Sequence, residues 1–485
     1  MAKATRGIIS FGAYVPYRRL DRSDVAAFLG RGGGRGTRSV ASYDEDTTTM
    51  AVEACRLALR SGVGDGGPAA VDALWFATAD PAYLEKTNAT AIHAALRLDP
   101  TVAALDFGGA VRSGIGSLRT ALQGAGPTLV AAADIRVGLP TSADEAAGGD
   151  GAAAFVVGSE PDGPVVAELV AAASATEEFV DRWRRPGEAA ARQWEERFGE
   201  TRYGPLVTQA WKQALGQAGL EPSEVDVAVV VGTHGRAVRR AGSLLGVDRL
   251  ADDLSAGVGN TGTAHAGLVL AAELERAAPG QVIAVVVLAD GVEVLVLRTT
   301  EALARYRPAR RVADQIAAGG PLGYATFLQW RDMITVQPPN RPEPDRPSSS
   351  VAARTQDWKF GFVGSRGTES GTLHLPPARV SIRPEDEVDA MDAAPMADVQ
   401  ATVVTFTIDR LVYSVSPPVV FAVVDFDGGG RLPVELTDVD PESVRIGQRV
   451  EMTFRRLYEA DGISNYFWKA RPLRAAAPSV ADEAG

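Results

Sequence analysis

The run Val225-Asp226-Val227-Ala228-Val229-Val230-Val231-Gly232-Thr233 reads as a buried strand that ends at a glycine, and it has a twin. About 150 residues earlier, Val71-Asp72-Ala73-Leu74-Trp75-Phe76-Ala77-Thr78 has the same character. Downstream of each, a glycine opens a helix that leads to a second strand: Gly116 to Gln123 then Thr128 to Ala133, and Gly267 to Arg276 then Gln281 to Leu288. Both second strands stop at an aspartate, Asp134 and Asp290. Continuous apolar runs alternating with helices indicate parallel strands covered on both faces. The pattern predicts a duplicated α/β core, one half in residues 1–165 and the other in residues 166–330.

Within the first half, Asp106-Phe107-Gly108-Gly109-Ala110-Val111-Arg112-Ser113-Gly114-Ile115-Gly116 is a short apolar strand running through glycines into a helix. A nucleophilic thiol at such a place would gain from the positive helix end. Ser113 stands there instead. The only cysteine, Cys55, falls inside the helical pattern Thr47 to Leu59 and reads as a small core residue. One cysteine excludes a disulfide framework and any zinc site built on several thiolates, and it suits a reducing compartment.

With 485 residues, 46% apolar and 23% charged, the chain has globular composition and roughly three domains' worth of length. Its formal net charge of -12 would repel a phosphate backbone, so no nucleic-acid partner is expected. A local arginine cluster can still hold an anionic small molecule. The first residues, MAKATRGIISFG, lack an apolar stretch of signal-peptide length, and the longest apolar run, Val282 to Ala289, is far short of a membrane span. The expectation is a cytoplasmic protein with no membrane partner.

Beyond residue 325 the composition changes. Gln337 to Ser350, QPPNRPEPDRPSSS, reads as an extended linker. Strand-like runs then follow at Val399 to Ile408, Val419 to Phe426, Arg431 to Leu436, Arg449 to Leu457 and Ser464 to Lys469, with turns at Asp427-Gly428-Gly429-Gly430 and Ala460-Asp461-Gly462. Five short strands within residues 396–475 predict a small closed all-β barrel of OB type. The tail, residues 476–485, is expected to be disordered.

Several motifs, taken in order, carry a resemblance. They are GAYVPYRRL (Gly12 to Leu20), DEDTTTMAVEA (Asp44 to Ala54), EKTNAT (Glu85 to Thr90), GGDGAAAFVVG (Gly148 to Gly158), VVGTHG (Val230 to Gly235) and VGNTGTAHAG (Val258 to Gly267). PVVFAVVDFDGGGRLPVELTD (Pro418 to Asp438) and VEMTFRRLYEADGISNYFWKARP (Val450 to Pro472) complete the set in the barrel. The chain resembles the thiolase superfamily, in its 3-hydroxy-3-methylglutaryl-CoA synthase and ketoacyl synthase III branch, fused to the OB-fold domain that accompanies acyl-CoA thiolases.

The resemblance implies a five-layered αβαβα thiolase fold, a homodimer, and a coenzyme A thioester entering a buried site between the halves. The family's usual catalytic set is a cysteine, a histidine, and an asparagine or glutamate. Position by position, Ser113 falls where the cysteine belongs, His234 matches the histidine and Asn260 the asparagine, while the glutamate is replaced at Ala79 with Asp80 beside it. Relatives also carry a zinc ribbon before the barrel. Here residues 331–395 are a linker and a degenerate ribbon, with Gly367, Ser370, Ser381 and Pro384 where thiolates belong. No metal is expected, and Trp358, Phe360 and Phe362 are expected to hold the ribbon's shape by packing.

A serine accepts an acyl group only if a base removes its proton. His234 is the candidate base for Ser113; the alternative reading makes Ser113 a helix cap whose oxygen accepts a backbone N–H. His234 follows a buried strand, where side chains of α/β enzymes meet ligands, and with Asn260 it would polarise a thioester oxygen and stabilise an enolate. His265 is expected to pack. Arg35 and Arg38, in the glycine-rich loop Arg31 to Arg38, are candidates for the phosphates of coenzyme A, against the alternative of a flexible solvated loop. Asp44, Glu45 and Asp46 precede a helix, where negative charge is favourable, and receive no catalytic role.

The expected function is an acyl-CoA enzyme that makes or breaks a carbon–carbon bond next to the thioester. It would work as a synthase-like acyltransferase or a 3-hydroxyacyl-CoA aldolase, without a cysteine nucleophile. The alternative is a noncatalytic acyl-CoA-binding or scaffold subunit working with a thiolase-type partner.

Overall fold

Nine strands form one mixed sheet in the computed structural model, which describes residues 6–64, 67, 68, 70–337 and 339–474. The first half supplies β1 (Arg6–Tyr14), β2 (Ala73–Ala77), β3 (Ala103–Phe107), β4 (Thr128–Asp134) and β5 (Gly151–Ser159). The second supplies β6 (Ala167–Ala175), β7 (Val227–Gly232), β8 (Val282–Leu288) and β9 (Val292–Thr299). Their order is β7-β8-β9-β6-β1-β5-β4-β2-β3.

Outward from the middle, β1 pairs antiparallel with β5, β5 antiparallel with β4, and β4 parallel with β2. On the other side β6 pairs antiparallel with β9, β9 antiparallel with β8, and β8 parallel with β7. The doubling read from the apolar runs is a doubling of topology. The strands are parallel only in part, because β5 and β9 run back alongside β4 and β8. At the junction β1 meets β6 through Gly7 opposite Glu168 and Ile8 opposite Ala167. A Cβ on Gly7 would stand 2.1 Å from the Ala167 carbonyl oxygen, so only glycine allows this approach.

Helices α1 (Thr47–Arg60), α2 (Arg112–Gln123), α3 (Glu196–Ala218), α4 (Gly235–Leu244) and α5 (His265–Leu274) position the site. Ile115, Leu118 and Leu122 of α2 and Leu268 and Leu270 of α5 share one core with Val130 of β4 and Val285 of β8. Each such side chain contributes about 1.5–3 kcal/mol relative to exposure. On the other face of the second half, Tyr203, Leu206 and Trp211 of α3 pack with Ala237 of α4 and Val286 of β8. Arg112 and Arg119 of α2 both reach Glu293 of β9, at 2.7 Å each, which ties the first half's helix to the second half's strand.

The described residues divide into two compact units, one within 1–41, 53–90 and 100–327 and the other within 42–52, 91–99 and 328–485. The two halves of the core, read separately from the sequence, fall in one unit. Residues 42–52 and 91–99 group with the C-terminal one. Asp44 and Glu45, within residues 42–52, face Arg455 about 400 positions away at 3.6 and 2.5 Å, a pairing that no local pattern in the sequence marks.

In the second unit, β10 (Val363–Gly367), β11 (Leu373–His374) and β12 (Met391–Pro395) form a small antiparallel sheet. A closed barrel follows, of β13 (Ala401–Asp409), β14 (Val419–Phe426), β15 (Arg431–Leu436), β16 (Arg449–Ala460) and β17 (Ile463–Pro472). The aromatic residues assigned to the ribbon belong with the barrel instead. Phe362 stacks on Trp468 at 5.8 Å, Trp358 lies 5.3 Å from Phe467, and Phe360 lies 6.0 Å from Phe454. What holds the ribbon turn is Asp386, whose carboxylate accepts the N–H groups of Glu369 and Ser370 at 3.0 and 2.9 Å and the Ser370 hydroxyl at 2.5 Å. These bonds hold that carboxyl below its ordinary range. Among the described residues no group of three or more His, Cys, Asp or Glu is placed to share a metal ion. The end of the expected linker is helical, Ser349–Arg354, and the expected tail lies outside the described residues. Among the described residues no helix is long and apolar enough to cross a membrane.

Candidate functional site

Gly108 and Gly109 turn the chain from β3 into α2, with Gly109 at φ +54°. Ser113 does not cap this helix. The residue before the helix is Val111, Ser113 lies inside the first turn, and its hydroxyl donates to the Gly108 carbonyl, the reverse of a cap bond. A Cβ on the next residue, Gly114, would stand 2.1 Å from the Thr263 carbonyl oxygen. Glycine there brings the start of α2 against the backbone that leads into α5.

Asp134, fully buried at the end of β4, organises this meeting. Its carboxylate accepts the Ala79 N–H at 2.9 Å and the Thr78 hydroxyl at 3.2 Å from the first half, and the Thr263 N–H and hydroxyl, both at 2.8 Å, from the second. Asp80 does not stand in for a catalytic glutamate as placed, because it pairs with Arg184 at 3.1 Å.

Asn260 is fixed by both ends of its amide. Its Nδ2 donates to the Gly232 carbonyl at 2.7 Å and its Oδ1 accepts the Gly262 N–H at 2.9 Å. It lines a narrow cleft with Val111, Ile115, Val231, Thr263 and His265. His265 was expected to pack; it is 5% exposed and faces this cleft. Burial pushes its imidazole down to about 4, so the ring is neutral at physiological pH.

His234 caps α4: its Nδ1 accepts the Ala237 N–H at 3.1 Å and its Nε2 donates to the Glu196 carbonyl at 2.8 Å. Those two bonds place the proton on Nε2 and leave neither nitrogen for a substrate. A Cβ on Gly199 would stand 2.6 Å from the ring, so glycine makes room for it on α3. The ring lines a second cleft with Asp181, Trp194 and Glu196, separate from the cleft that Asn260 lines. Burial raises the carboxyl of Asp181 there, and burial together with Asp181 raises that of Asp290. Among the described residues no hydrogen bond joins Ser113, His234 and Asn260.

Arg38 is fully buried, and its guanidinium donates to the Glu145 and Arg136 carbonyls at 3.0 and 2.8 Å and meets Asp150 at 3.4 Å. These partners lie inside the protein, where the expectation had placed the phosphates of coenzyme A. Arg35 is exposed on the same loop, which is pinned rather than free. Gly36 accepts the Arg22 N–H at 3.0 Å, and a Cβ on Gly33 would stand 2.1 Å from the Arg22 carbonyl oxygen. Cys55 is fully buried inside α1, where burial pushes the thiol well above its ordinary range.

Asp134, Thr263 and His265 carry no functional expectation from the sequence. The signal for Asp134 was its place at a strand end; for the other two it was their position within five residues of Asn260, at the opening of α5.

Residues 394–455 match the family model described as ChsH2, C-terminal OB-fold domain. The chain is 32% identical over 305 residues to the hydroxymethylglutaryl-CoA synthase of Methanopyrus kandleri, covering 59% of this chain and 84% of that protein. It is 29% identical over 353 residues to the enzyme of the same name from Archaeoglobus fulgidus, covering 68% and 99%. Among solved structures, an HMG-CoA synthase complexed with CoA superposes with a TM-score of 0.57 at 17% identity, over 71% of this chain and 94% of that one. The 3-oxoacyl-[acyl-carrier-protein] synthase III of Aquifex aeolicus gives 0.50 at 20%, over 60% and 99%. These structures share the fold.

Proposed function

The chain belongs to the hydroxymethylglutaryl-CoA synthase family, and we propose that it makes or breaks a carbon–carbon bond next to the carbonyl of a coenzyme A thioester without forming an acyl-cysteine. The observation that carries this is the cleft beneath α2, where Asn260 keeps one amide hydrogen without a partner among the described residues while the single thiol, Cys55, is buried inside α1. An aldol or retro-aldol reaction on a 3-hydroxyacyl-CoA needs no acyl-enzyme. In the cleavage direction the 3-hydroxyl gives up its proton, the C2–C3 bonding electrons pass to C2 as an enolate, and C2 takes up a proton. A carbonyl compound and a shorter thioester leave. The protein must stabilise the enolate oxygen, which fixed donors in an apolar cleft do well. Exposed Arg35 is the candidate contact for the phosphates of the coenzyme. A homodimer is supported by β3, an edge strand of the sheet on which Leu105 is 53% exposed.

A second reading rests on a specific observation: Ser113 and His234 are both engaged by main-chain groups, as in a subunit that binds acyl-CoA and leaves the chemistry to a thiolase-type partner. Incubation of the purified chain with a panel of acyl-CoA and 3-hydroxyacyl-CoA thioesters separates the two. Turnover by the chain alone is expected, with Ser113→Ala within a few-fold of wild type and Asn260→Ala losing about 10²–10³-fold in kcat. A Ser113→Ala variant that loses turnover, with an acyl adduct on Ser113 seen by mass spectrometry in wild type, would establish acyl transfer instead. Turnover only after a partner is added would favour the scaffold.

A further inference from the structure

Three arginines gather around the end of β4, and one of them lacks an acceptor. Arg184 holds Asp80 at 3.1 Å and donates to the Ala79 carbonyl. Arg182 is engaged bidentately by Asp144, at 2.6 Å to each oxygen, and Asp144 also accepts from Gln193 at 2.9 Å. Arg136, two residues after Asp134, has no such partner: its Nη1 lies 4.0 Å from the Asp134 carboxylate, and among the described residues its guanidinium makes no hydrogen bond. Asp134 is not available to it, because its oxygens already accept from Thr78, Ala79 and Thr263. The Arg136 side chain is only 17% exposed, yet none of its nitrogens is sealed from solvent. Burial, and after it the like charge of Arg182, hold its pKa below the ordinary arginine value, and it stays a cation at physiological pH. A cation so deep, with five N–H groups and no acceptor, is unfavourable until an anion arrives. Glycines give it its course: a Cβ on Gly262 would stand 2.8 Å from the Arg136 Cδ, so the side chain runs along the 260–263 loop that carries Asn260.

Resting on the reading of the Asn260 cleft as a thioester site, we propose that Arg136 is a specificity-determining residue: its guanidinium binds the carboxylate of the carbonyl partner, which makes that partner a free oxo acid. The planar fork of a guanidinium matches a carboxylate with two parallel N–H···O bonds. Asp80, Asp134 and Asp144, gathered around the same three arginines, weigh against a dianion such as phosphate and leave a place for one negative charge. In the condensing direction C2 of the acyl thioester gives up a proton and its electron pair forms the bond to the oxo carbon. The C=O π electrons move to oxygen, which takes up a proton, so no other reagent is consumed. The carboxylate keeps its charge throughout. Arg136 therefore holds substrate and product alike and selects the partner without lowering the barrier.

The test uses the full chain and two readouts. Saturation-transfer NMR with pyruvate as the probe, alone and with acetyl-CoA present, is expected to show binding to wild type that weakens about tenfold or more in Arg136→Met. Arg136→Lys, which keeps the charge but not the fork, is expected to fall between them, and an equal concentration of inorganic phosphate to leave pyruvate bound. In turnover, matched 3-hydroxyacyl-CoA thioesters are compared with and without a carboxylate on the fragment beyond C2. The carboxylate is expected to raise kcat/KM about 10²-fold, mainly through KM, and this ratio to fall to a few-fold in Arg136→Met. Because the ratio is taken within one preparation, a partly misfolded variant does not alter it. Pyruvate that does not bind, phosphate that displaces it, or a ratio unchanged in Arg136→Met overturns the proposal, and turnover of the uncharged thioesters then leaves the thioester reading standing. If no thioester turns over while pyruvate binds wild type and not Arg136→Met, the thioester reading falls and the carboxylate site remains.

Discussion

Replacing Lys469 with methionine is expected to destabilise the C-terminal unit by about 3–5 kcal/mol, read as a lower urea midpoint followed by Trp468 fluorescence. Lys469 is 1% exposed on β17, and its Nζ lies 3.1 Å from Asp44 and 2.7 Å from Glu435. Arg455, fully buried on β16, faces Asp44 and Glu45 and donates to Asp438 at 2.8 Å. Removing one cation from this cluster leaves Asp44, itself 1% exposed, with only the more distant Arg455, at 3.6 Å, to offset its buried charge. Methionine keeps the volume, so the loss reports the charge rather than a cavity. The double variant with Asp44→Asn is expected to recover most of the loss, because the stranded charge goes with it.

Acid titration checks the same cluster by another route. Burial works against the ionised Asp44 carboxyl, but Lys469 and Arg455 outweigh it and hold the group at about 2. The folded value therefore lies below the unfolded one of about 3.9. The stabilisation is complete above about pH 4 and is lost as pH falls through about 2, a decline of about 2.6 kcal/mol. In Lys469→Met the carboxyl is protonated at higher pH, so the deficit relative to wild type is expected to shrink on acidification. A deficit that stayed constant across that range would mean that the lysine acts through packing alone.

Strand content was legible because the signals are local. Val227–Gly232 and Val282–Leu288 are apolar throughout, and the barrel strands alternate around glycine turns such as Asp427-Gly428-Gly429-Gly430. The doubling was legible in element order although few residues repeat. The joining of the halves was not, because the Gly7–Glu168 pairing is a contact between residues far apart in the chain, and nothing in RGIISFGAY marks its partner. Arg38 looked like a surface cation because glycines surround it; its acceptors, at Arg136, Glu145 and Asp150, are about 100 positions away and complete a buried site. His234 sat where a catalytic group would sit, yet an imidazole nitrogen can accept from a helix N–H as a serine oxygen does, and that competing use left no trace in the spacing. His265, five residues after Asn260 on a helix start, reads from the sequence as a packing residue. The side of the helix it occupies, and hence the cleft, depended on how Gly114 lets α2 approach.

Replacing Asp134 with alanine is expected to cost at least about 4 kcal/mol and to abolish turnover, the larger of the effects on the first unit. Four donors converge on this one fully buried carboxylate: the Ala79 N–H, the Thr78 hydroxyl, and the N–H and hydroxyl of Thr263. Each donor left unsatisfied in the interior costs about 1–3 kcal/mol. The consequence for the cleft is direct. Thr263 lines it beside Asn260 and His265, and a Cβ on Gly262 would stand 2.2 Å from the Asp134 carboxylate, so the loop 260–263 is shaped around that group. Asp134→Asn tests the chemistry with the volume kept. It has one acceptor oxygen in place of two and turns an N–H donor toward one of the existing donors. Its stability loss is expected to be about half that of the alanine variant, while turnover falls nearly as far, since a shift of the 260–263 loop by a few tenths of an ångström misplaces the Asn260 amide. Urea melts and initial rates on the same preparations separate the two effects. A variant that folds as well as wild type yet turns over at the full rate would show that this aspartate neither ties the halves together nor sets the geometry of the cleft.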